Sequence, residues 1–292
     1  PAVILAREII KRRDDNSPKN KDFYSRDRHE KLNLALSNFS TDNNKHFAKQ
    51  FEFLEQYIDT SQISGEPILH ISARELIATD YYRKEPERER QHVKGRKRNG
   101  IDDMFSTGEI EALYEETFKD VDIFQDNISL FSSKFVSPLS KLGPTFYRYY
   151  IMDTLQIDGD TCIDLAFTPF NVESFGFTGH IYTTKDSALF IKRVVLEIPH
   201  EINMNFVENL NIRQDFERTT DDTRLLTKET LIAELKVVNA VTGFYANREV
   251  VYRNHNFQSN EFAERILSNP AEVVEDDNST SKSEEYWSQY GF

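Results

Sequence analysis

Residues 147–199 constrain the fold of this chain more than any other stretch. Here Ile163, Leu165 and Phe167 alternate with less apolar residues, and two later runs alternate in the same way. A period of two residues with β-branched and aromatic side chains is typical of antiparallel strands that bury one face. Asp158-Gly159 separates two of the runs, and these residues accept the positive φ angles of a tight hairpin turn. The sequence therefore predicts a meander of three or four strands.

Apolar spacing outside this meander predicts further strands and helices. The predicted strands are 23–37, 68–82, 210–217, 225–238 and 244–255. The predicted helices, with apolar residues at helical spacing, are 2–11, 47–58 and 106–118. Together these elements predict an α+β fold: a curved, mostly antiparallel sheet that forms an open half-barrel, with two or three helices packed on one side. Residues 1–270 are expected to form this single domain.

Three segments lack the pattern of a regular core element. Residues 83–99 mix eight Lys and Arg with glutamates, so we predict a solvated, mobile connector; a basic patch that meets anionic lipid or another acidic surface is the alternative. Residues 127–144 are irregular but apolar, and we expect them to pack across the sheet. Residues 271–292 begin with an acidic, serine-rich run and are expected to be a flexible tail that leads to a further segment.

Composition excludes several classes of function. The chain has 292 residues and a net charge of −13, and an acidic protein is a poor candidate for nucleic-acid binding, which needs a positive field. Cys162 is the only cysteine, so neither an internal disulfide nor a cysteine-based zinc site can form. No run of about 18 apolar residues occurs, so no helical membrane span is predicted, and no signal peptide is found. Because residue 1 is Pro, we expect a processed or excised piece of a longer chain.

No catalytic or metal-binding motif stands out. Ser-elbow and P-loop patterns are absent, and Cys162 lies on a predicted strand without a paired histidine, as a structural cysteine does. The seven histidines are scattered along the chain, which gives no metal-ligand spacing. Asp158 and Asp160 fall in a predicted turn, where turn chemistry explains them without a metal. We therefore predict no enzyme activity, no metal and no cofactor.

Aromatic residues are in excess, with 22 Phe and 13 Tyr. Four phenylalanines fall on the apolar faces of three adjacent predicted strands: Phe167, Phe175, Phe177 and Phe190. They are either core residues or the lining of a groove for a hydrophobic ligand. A curved sheet needs a cover, because exposing such side chains would cost roughly 1.5–3 kcal/mol each. The cover is expected to be the 47–58 helix, residues 127–144 or a bound acyl chain, and we favour the chain itself.

Several short motifs resemble one bacterial family. They include Phe135-Val-Ser-Pro-Leu139, Tyr149-Tyr-Ile-Met-Asp-Thr154, Phe175-Gly-Phe-Thr-Gly179 and Gln214-Asp-Phe-Glu217, in that order. The family is the outer-membrane family of unknown function whose members usually follow a carboxypeptidase-regulatory-like domain. In such members the corresponding segment lies between a small, non-catalytic β-sandwich and a segment expected to form a membrane β-barrel. More weakly, the strand pattern resembles the half-open barrel of LolA-like lipoprotein carriers.

The resemblance implies a non-catalytic binding or scaffolding module on the periplasmic side of the bacterial outer membrane. Its expected partner is a hydrophobic ligand or an envelope protein, with membrane association through segments outside this chain and without nucleic acid. Two other classes stay open: a carrier that holds a lipid or acyl chain in the concave face of the sheet, and a hydrolase, for which no convergent set of polar residues is found. The resemblance supplies no catalytic residues, and it leaves the oligomeric state open.

Overall fold

The computed structural model describes residues 1–37, 58–100, 119–202, 204, 207–219, 223–236 and 243–290. Two predicted helices, 106–118 and nearly all of 47–58, lie outside these residues. Within them, twelve strands form one sheet, and two further strands form a separate hairpin. The strands are, in chain order, β1 (Phe23–Ser37), β2 (Ile58–Thr60), β3 (Pro67–Arg83), β4 (Arg88–Gly100), β5 (Asn127–Leu130), β6 (Ser133–Val136), β7 (Tyr147–Ile157), β8 (Asp160–Pro169), β9 (Thr178–Thr184), β10 (Ile191–Glu197), β11 (Val207–Arg218), β12 (Arg224–Leu235), β13 (Gly243–Asn256) and β14 (Val273–Glu275).

The strand order of the large sheet is β14-β4-β3-β1-β13-β12-β11-β10-β9-β8-β7, with β2 beside β3, while β5 pairs with β6. All these pairs are antiparallel except β14–β4, which is parallel. β14 and β7 stand at the two ends of this order, so the described sheet is open and not closed into a barrel. The predicted α+β fold with an open, mostly antiparallel sheet is confirmed.

The central meander forms as predicted, and its turns show why. Only Asp158 and Gly159 join β7 to β8, with φ angles of 46° and 87°. Both angles lie in the left-handed region that Asp and Gly tolerate best, so this hairpin is determined locally. Gly179 has a φ of 152°, and a Cβ added there would come within 1.9 Å of the Val195 backbone oxygen. Any side chain at this position would therefore push β9 and β10 apart.

The five described helices are short: α1 (Ala2–Lys11), α2 (Arg13–Asn16), α3 (Gly143–Phe146), α4 (Glu261–Leu267) and α5 (Glu284–Ser288). α1 buries Ala6 and Ile9 in the main core, against the face of the sheet that carries Leu165, which we call the inner face. α4 packs on the opposite, outer face, where Leu267 lies in a cluster with Phe23. None of the described helices is both long and apolar enough to cross a membrane.

The apolar stretch 127–144 packs across the inner face, as predicted. It is more regular than expected, because it contains the β5–β6 hairpin and leads into α3. Ile128, Leu130, Phe135 and Leu139 are almost completely buried there, in one cluster with inner-face residues of β8 to β12. The chain thus supplies a cover for this half of the sheet.

The prediction of a mobile connector at 83–99 is wrong. These residues form the turn after β3 and most of β4, which pairs with β3 on one side and partly with β14 on the other. The segment has no apolar pattern, and its basic side chains are instead paired with acids. Lys94 lies 3.1 Å from Asp27, and Lys97 lies 2.8 Å from Glu284. Backbone pairing and ion pairs, together with the completely buried side chain of Val93, therefore hold this strand.

The acidic segment is also ordered, in contrast to the flexible tail predicted for 271–292. Its strand β14 pairs with β4, and the Gln91 backbone N–H donates to the Glu272 backbone oxygen at 3.0 Å. Trp287, in α5, is only 8% exposed. Residues 271–290, which we call the C-terminal strap, thus lie along the basic strand, so the two charged runs compensate each other. That residues 1–270 form a single domain by themselves stays a prediction.

Trypsin is expected to spare the basic residues of β4 in the folded protein. Cleavage requires local opening of the chain, and the paired backbone groups of a ladder raise the free energy of that opening. The measurement is limited digestion followed by mass spectrometry of the fragments, with the urea-unfolded protein as the control. Early cleavage of the folded protein after Arg90, Lys94 or Arg96 would contradict the assignment of this segment as a strand.

Candidate functional site

The four phenylalanines predicted to line a ligand groove do not share one environment. Phe167, Phe177 and Phe190 are 2%, 0% and 1% exposed, whereas Phe175 is 43% exposed. Phe135 of β6 stacks on Phe177 with ring centroids 4.8 Å apart, and it lies T-shaped to Phe175 at 5.5 Å. The chain itself therefore covers Phe177, and a ligand-binding role for the four residues stays a prediction.

The other half of the inner face carries charged side chains where the pattern would place apolar ones. On β1, Arg26, Arg28 and Glu30 share a face with Leu32 and Leu34, because side chains of a strand alternate between its two faces. The two arginines are only 9% and 4% exposed. Buried charges are costly unless they are paired and hydrogen-bonded, so this set marks a candidate functional site.

Arg28 is held by three acidic side chains. Its guanidinium donates to the two Asp80 oxygens at 3.0 and 3.1 Å and to Glu30 at 3.1 Å. It also donates to Asp120, through both terminal nitrogens. Burial works to raise the pKa of Asp120, but the charges of Arg28 and Arg248 outweigh it and hold that pKa well below its usual range. Asp120 is therefore an ionised partner of both arginines.

Arg248, on β13, extends this set and is 2% exposed. It donates to Glu229 at 2.9 Å, to Glu30 at 3.0 Å and to Asp120 at 2.6 Å. Burial raises the pKa of Glu229, although the charge of Arg248 opposes that rise. Gln214 completes the site by donating to Glu229 at 2.5 Å. We call the connected ions the arginine network: Arg28, Arg248, Glu30, Asp80, Asp120 and Glu229.

Two cavities open beside the arginine network. The larger, which we call the charged cleft, has a volume of about 670 Å³ and is lined by four arginines and five acids, Arg26 and Arg28 among them. The smaller, which we call the apolar pocket, has about 80 Å³, and its lining includes Phe124, Phe216 and Leu226. The residues that line both cavities are Tyr24, Arg26, Glu89 and Asp120.

Arg26 stands at the junction of the two cavities. Its guanidinium lies over the ring of Tyr252, 3.7 Å from the ring centroid, and its Nε lies 3.4 Å from Asp80. Burial, together with the charge of Arg26, lowers the pKa of His255 to about 4. The imidazole is therefore neutral near pH 7 and adds no second positive charge beside Arg26.

The described residues that line these cavities do not provide a Ser-His or Cys-His pair. Neither cavity is lined by a described histidine or cysteine. Burial raises the pKa of the Cys162 thiol, which donates to the Asp160 backbone oxygen at 3.7 Å. Lys192 lies 3.2 Å from the Asp160 carboxylate and 3.7 Å from Asp158, so a lysine already compensates part of the charge of this pair of acids. Among the described residues, no group of three or more side chains could hold a metal ion.

The sequence patterns did not predict the arginine network or a role for Arg26, although one feature of β1 indicated a buried polar site. Arg26, Arg28 and Glu30 fall at the same alternate positions as the apolar Leu32 and Leu34. Charges at the apolar positions of a strand indicate either a change of register or a buried polar site. The pairing of β1 with β3 and β13 along most of its length shows that the second explanation holds.

The protein is of the α+β class. Its open, mostly antiparallel sheet has an inner face that is apolar in one half and charged in the other. The chain belongs to the Family of unknown function (DUF5686), whose model matches residues 6–255. This match confirms the resemblance to a family of unknown function that the sequence motifs indicated. No curated protein matches the chain significantly.

Three solved structures are similar to this chain over most of its length. A domain assigned to outer membrane lipoprotein sorting, from Vibrio parahaemolyticus, has 11% identity and a TM-score of 0.35, with 92% of this chain and 100% of that chain covered. A DUF1329 family protein from Desulfovibrio piger has 10% identity and a TM-score of 0.33, with 87% and 91% covered. A LolA superfamily protein from Nitrosomonas europaea has 8% identity and a TM-score of 0.28, with 90% and 97% covered.

Proposed function

We propose that this chain is a non-catalytic binding module on the periplasmic side of the bacterial outer membrane, and that its ligand binds in the charged cleft. The observation that carries the proposal is the division of the inner face. Its apolar half is occupied by α1 and the β5–β6 hairpin, whereas its charged half opens into a cleft of about 670 Å³. Cavities of this size are typical of small-molecule sites.

The location is supported by the family resemblance, because members of that family are associated with the outer membrane. The partners expected there are a hydrophobic ligand or an envelope protein. The charged lining of the cleft favours a ligand with polar or charged groups over a purely apolar one. A purely apolar ligand would displace water from the arginines and acids without replacing its hydrogen bonds, which is costly.

A carrier for a lipid or acyl chain is the second candidate. The apolar pocket favours it, because Phe124, Phe216 and Leu226 offer apolar contacts next to the charged cleft. The volume of about 80 Å³ is small, since an engineered apolar cavity of about 150 Å³ holds a single benzene. A full acyl chain would need more room than this pocket offers.

Native mass spectrometry tests the proposal, after incubation of the folded protein with a small-molecule and lipid extract of bacterial envelopes. A bound species is expected, and Gln91→Trp, which places a bulky indole in the charged cleft, is expected to lose it. The matched control is Asn211→Trp, a substitution on β11 outside the cleft, which is expected to retain the ligand. Absence of any bound species, or equal retention by Gln91→Trp, would overturn the proposal.

A further inference from the structure

Arg26 is a largely buried cation that makes few hydrogen bonds within the described chain. A guanidinium carries five N–H donors. None of those of Arg26 is fully buried without a partner, so they reach the water of the cleft, which a ligand can replace. Arg26 is 9% exposed, yet its only hydrogen bond to the described residues is the long one from Nε to Asp80, at 3.4 Å. Such a side chain is suited to a ligand that brings its own acceptors.

The acids near Arg26 are engaged by other cations. Asp80 accepts from Arg28 at 3.0 and 3.1 Å, closer than its contact with Arg26. Glu89, which lines both cavities, lies 2.5 Å from Lys19. The charge of Arg26 is therefore less compensated than that of Arg28, and an anion placed against it gains attraction that the chain itself does not use.

The position of Arg26 offers two kinds of contact at once. One face of its guanidinium rests on the ring of Tyr252, and the residue lines both the charged cleft and the apolar pocket. The pocket provides the apolar side chains of Phe216 and Leu226 within the same cavity. Its volume of about 80 Å³ limits the apolar part of a ligand to a few carbon atoms, by comparison with the roughly 150 Å³ that holds benzene.

We infer that Arg26 binds the anionic group of a small amphipathic ligand, a carboxylate or phosphate whose short apolar tail enters the pocket beside Phe216 and Leu226. The inference rests on the proposed function and specifies its ligand class. Guanidinium groups bind both anions through paired hydrogen bonds, which a lysine ammonium does not reproduce. Carboxylate and phosphate share this chemistry, so the experiment includes one ligand of each kind.

Isothermal titration calorimetry with butyrate and butyl phosphate is the direct test. At least one of them is expected to bind, and the tighter of the two identifies the anionic group. The neutral analogue 1-butanol is expected to have an affinity lower by about tenfold or more. The same holds for the tailless anions acetate and inorganic phosphate. Arg26→Gln is expected to weaken the binding of the anion by about tenfold or more, and Arg26→Lys is expected to recover part of that loss.

The matched control is Arg193→Gln, because Arg193 is also a strand arginine but pairs with Asp215 outside both cavities. Circular dichroism establishes that each variant is folded. If Arg26→Gln does not fold, Leu226→Trp replaces it: this change fills the apolar pocket and is expected to remove the advantage of the butyl ligands over the tailless anions.

Three results would overturn the inference. They are the absence of binding by either butyl anion, equal affinities of the unaltered protein and Arg26→Gln, and equal affinities for the anions and 1-butanol. Each of these leaves the charged cleft as a site for some other ligand. Failure of the envelope extract to yield any bound species would instead overturn the proposed function itself, so the two failures are distinguishable.

Discussion

Replacing Phe177 by alanine is expected to lower the free energy of unfolding by about 3–5 kcal/mol. The side chain is completely buried, and it stacks on Phe135 of the covering hairpin with centroids 4.8 Å apart. Its backbone N–H donates to the Tyr147 hydroxyl at 3.1 Å, so the strand end is fixed and cannot easily collapse into the space that the ring leaves. Urea denaturation monitored by circular dichroism measures the loss.

The matched control for Phe177→Ala is Phe170→Ala, because Phe170 is 52% exposed. Phe170→Ala is expected to change the free energy of unfolding by no more than about 0.5 kcal/mol. A fluorescent fatty-acid probe separates the core explanation from the carrier explanation. Saturable binding of the probe to the unaltered protein, lost in Phe177→Ala while the melting temperature barely changes, would show that an acyl chain shares this site.

Arg248→Met is expected to lower the free energy of unfolding by about 3–5 kcal/mol, which is the effect of removing one partner from a buried ion pair. Glu229 is 1% exposed and would lose its guanidinium partner, whereas Glu30 and Asp120 would still contact Arg28. The loss therefore comes mainly from one uncompensated carboxylate. Methionine keeps much of the apolar stem of the side chain, so the substitution tests the charge more than the packing.

The double variant Arg248→Met/Glu229→Gln is expected to recover a large part of this stability, because it removes the uncompensated charge and keeps the shape of the side chain. The matched control is Arg193→Met, since Arg193 and Asp215 form a pair whose side chains are 24% and 20% exposed. That pair is expected to contribute about 1 kcal/mol or less. An Arg248→Met variant as stable as the unaltered protein would contradict the assigned role of the network.

The loss caused by Arg248→Met is expected to depend on pH. Burial raises the pKa of Glu229 and Arg248 opposes the rise, so removal of Arg248 raises this pKa further in the folded state. A carboxyl group with a raised folded-state pKa contributes stability that is present at low pH and is lost as the pH rises through that pKa. The loss should therefore be smaller near pH 5 than near pH 7. Denaturation at both pH values, with Arg193→Met beside it, checks this sign.

The strands with one apolar face were predictable because their signal is local. The alternation of 23–37 and the turn at Asp158 and Gly159 depend only on neighbouring residues. β4 and the C-terminal strap were not predictable in this way, because each supplies the charges that the other needs. Lys97, for example, pairs with Glu284, which is 187 residues away. Neither charged run shows its structural role without the other.

The candidate site was not predictable for the same physical reason, because its partners are far apart along the chain. Arg28 and Arg248 both pair with Asp120, which is 92 and 128 residues away and lies outside the regular strands. A strand with alternating charges is usually an exposed strand, and only the pairing of β1 with β3 and β13 shows that its arginines are buried. The sequence therefore predicted the sheet that carries the site but not the side chains that form it.

The position of β1 in the sheet also sets the order in which a nascent chain can complete its pairing. Leu34 of β1 faces Ala246 of β13, a separation of 212 residues (246 − 34). The edge of β1 that later receives β13 therefore has no partner strand until these residues have followed. Its charged side chains from Arg26 to Lys31 are of the kind that discourage pairing with other chains during that interval. Arg28 and Glu30 are thus expected to limit aggregation of the incomplete sheet as well as to join the arginine network of the finished one.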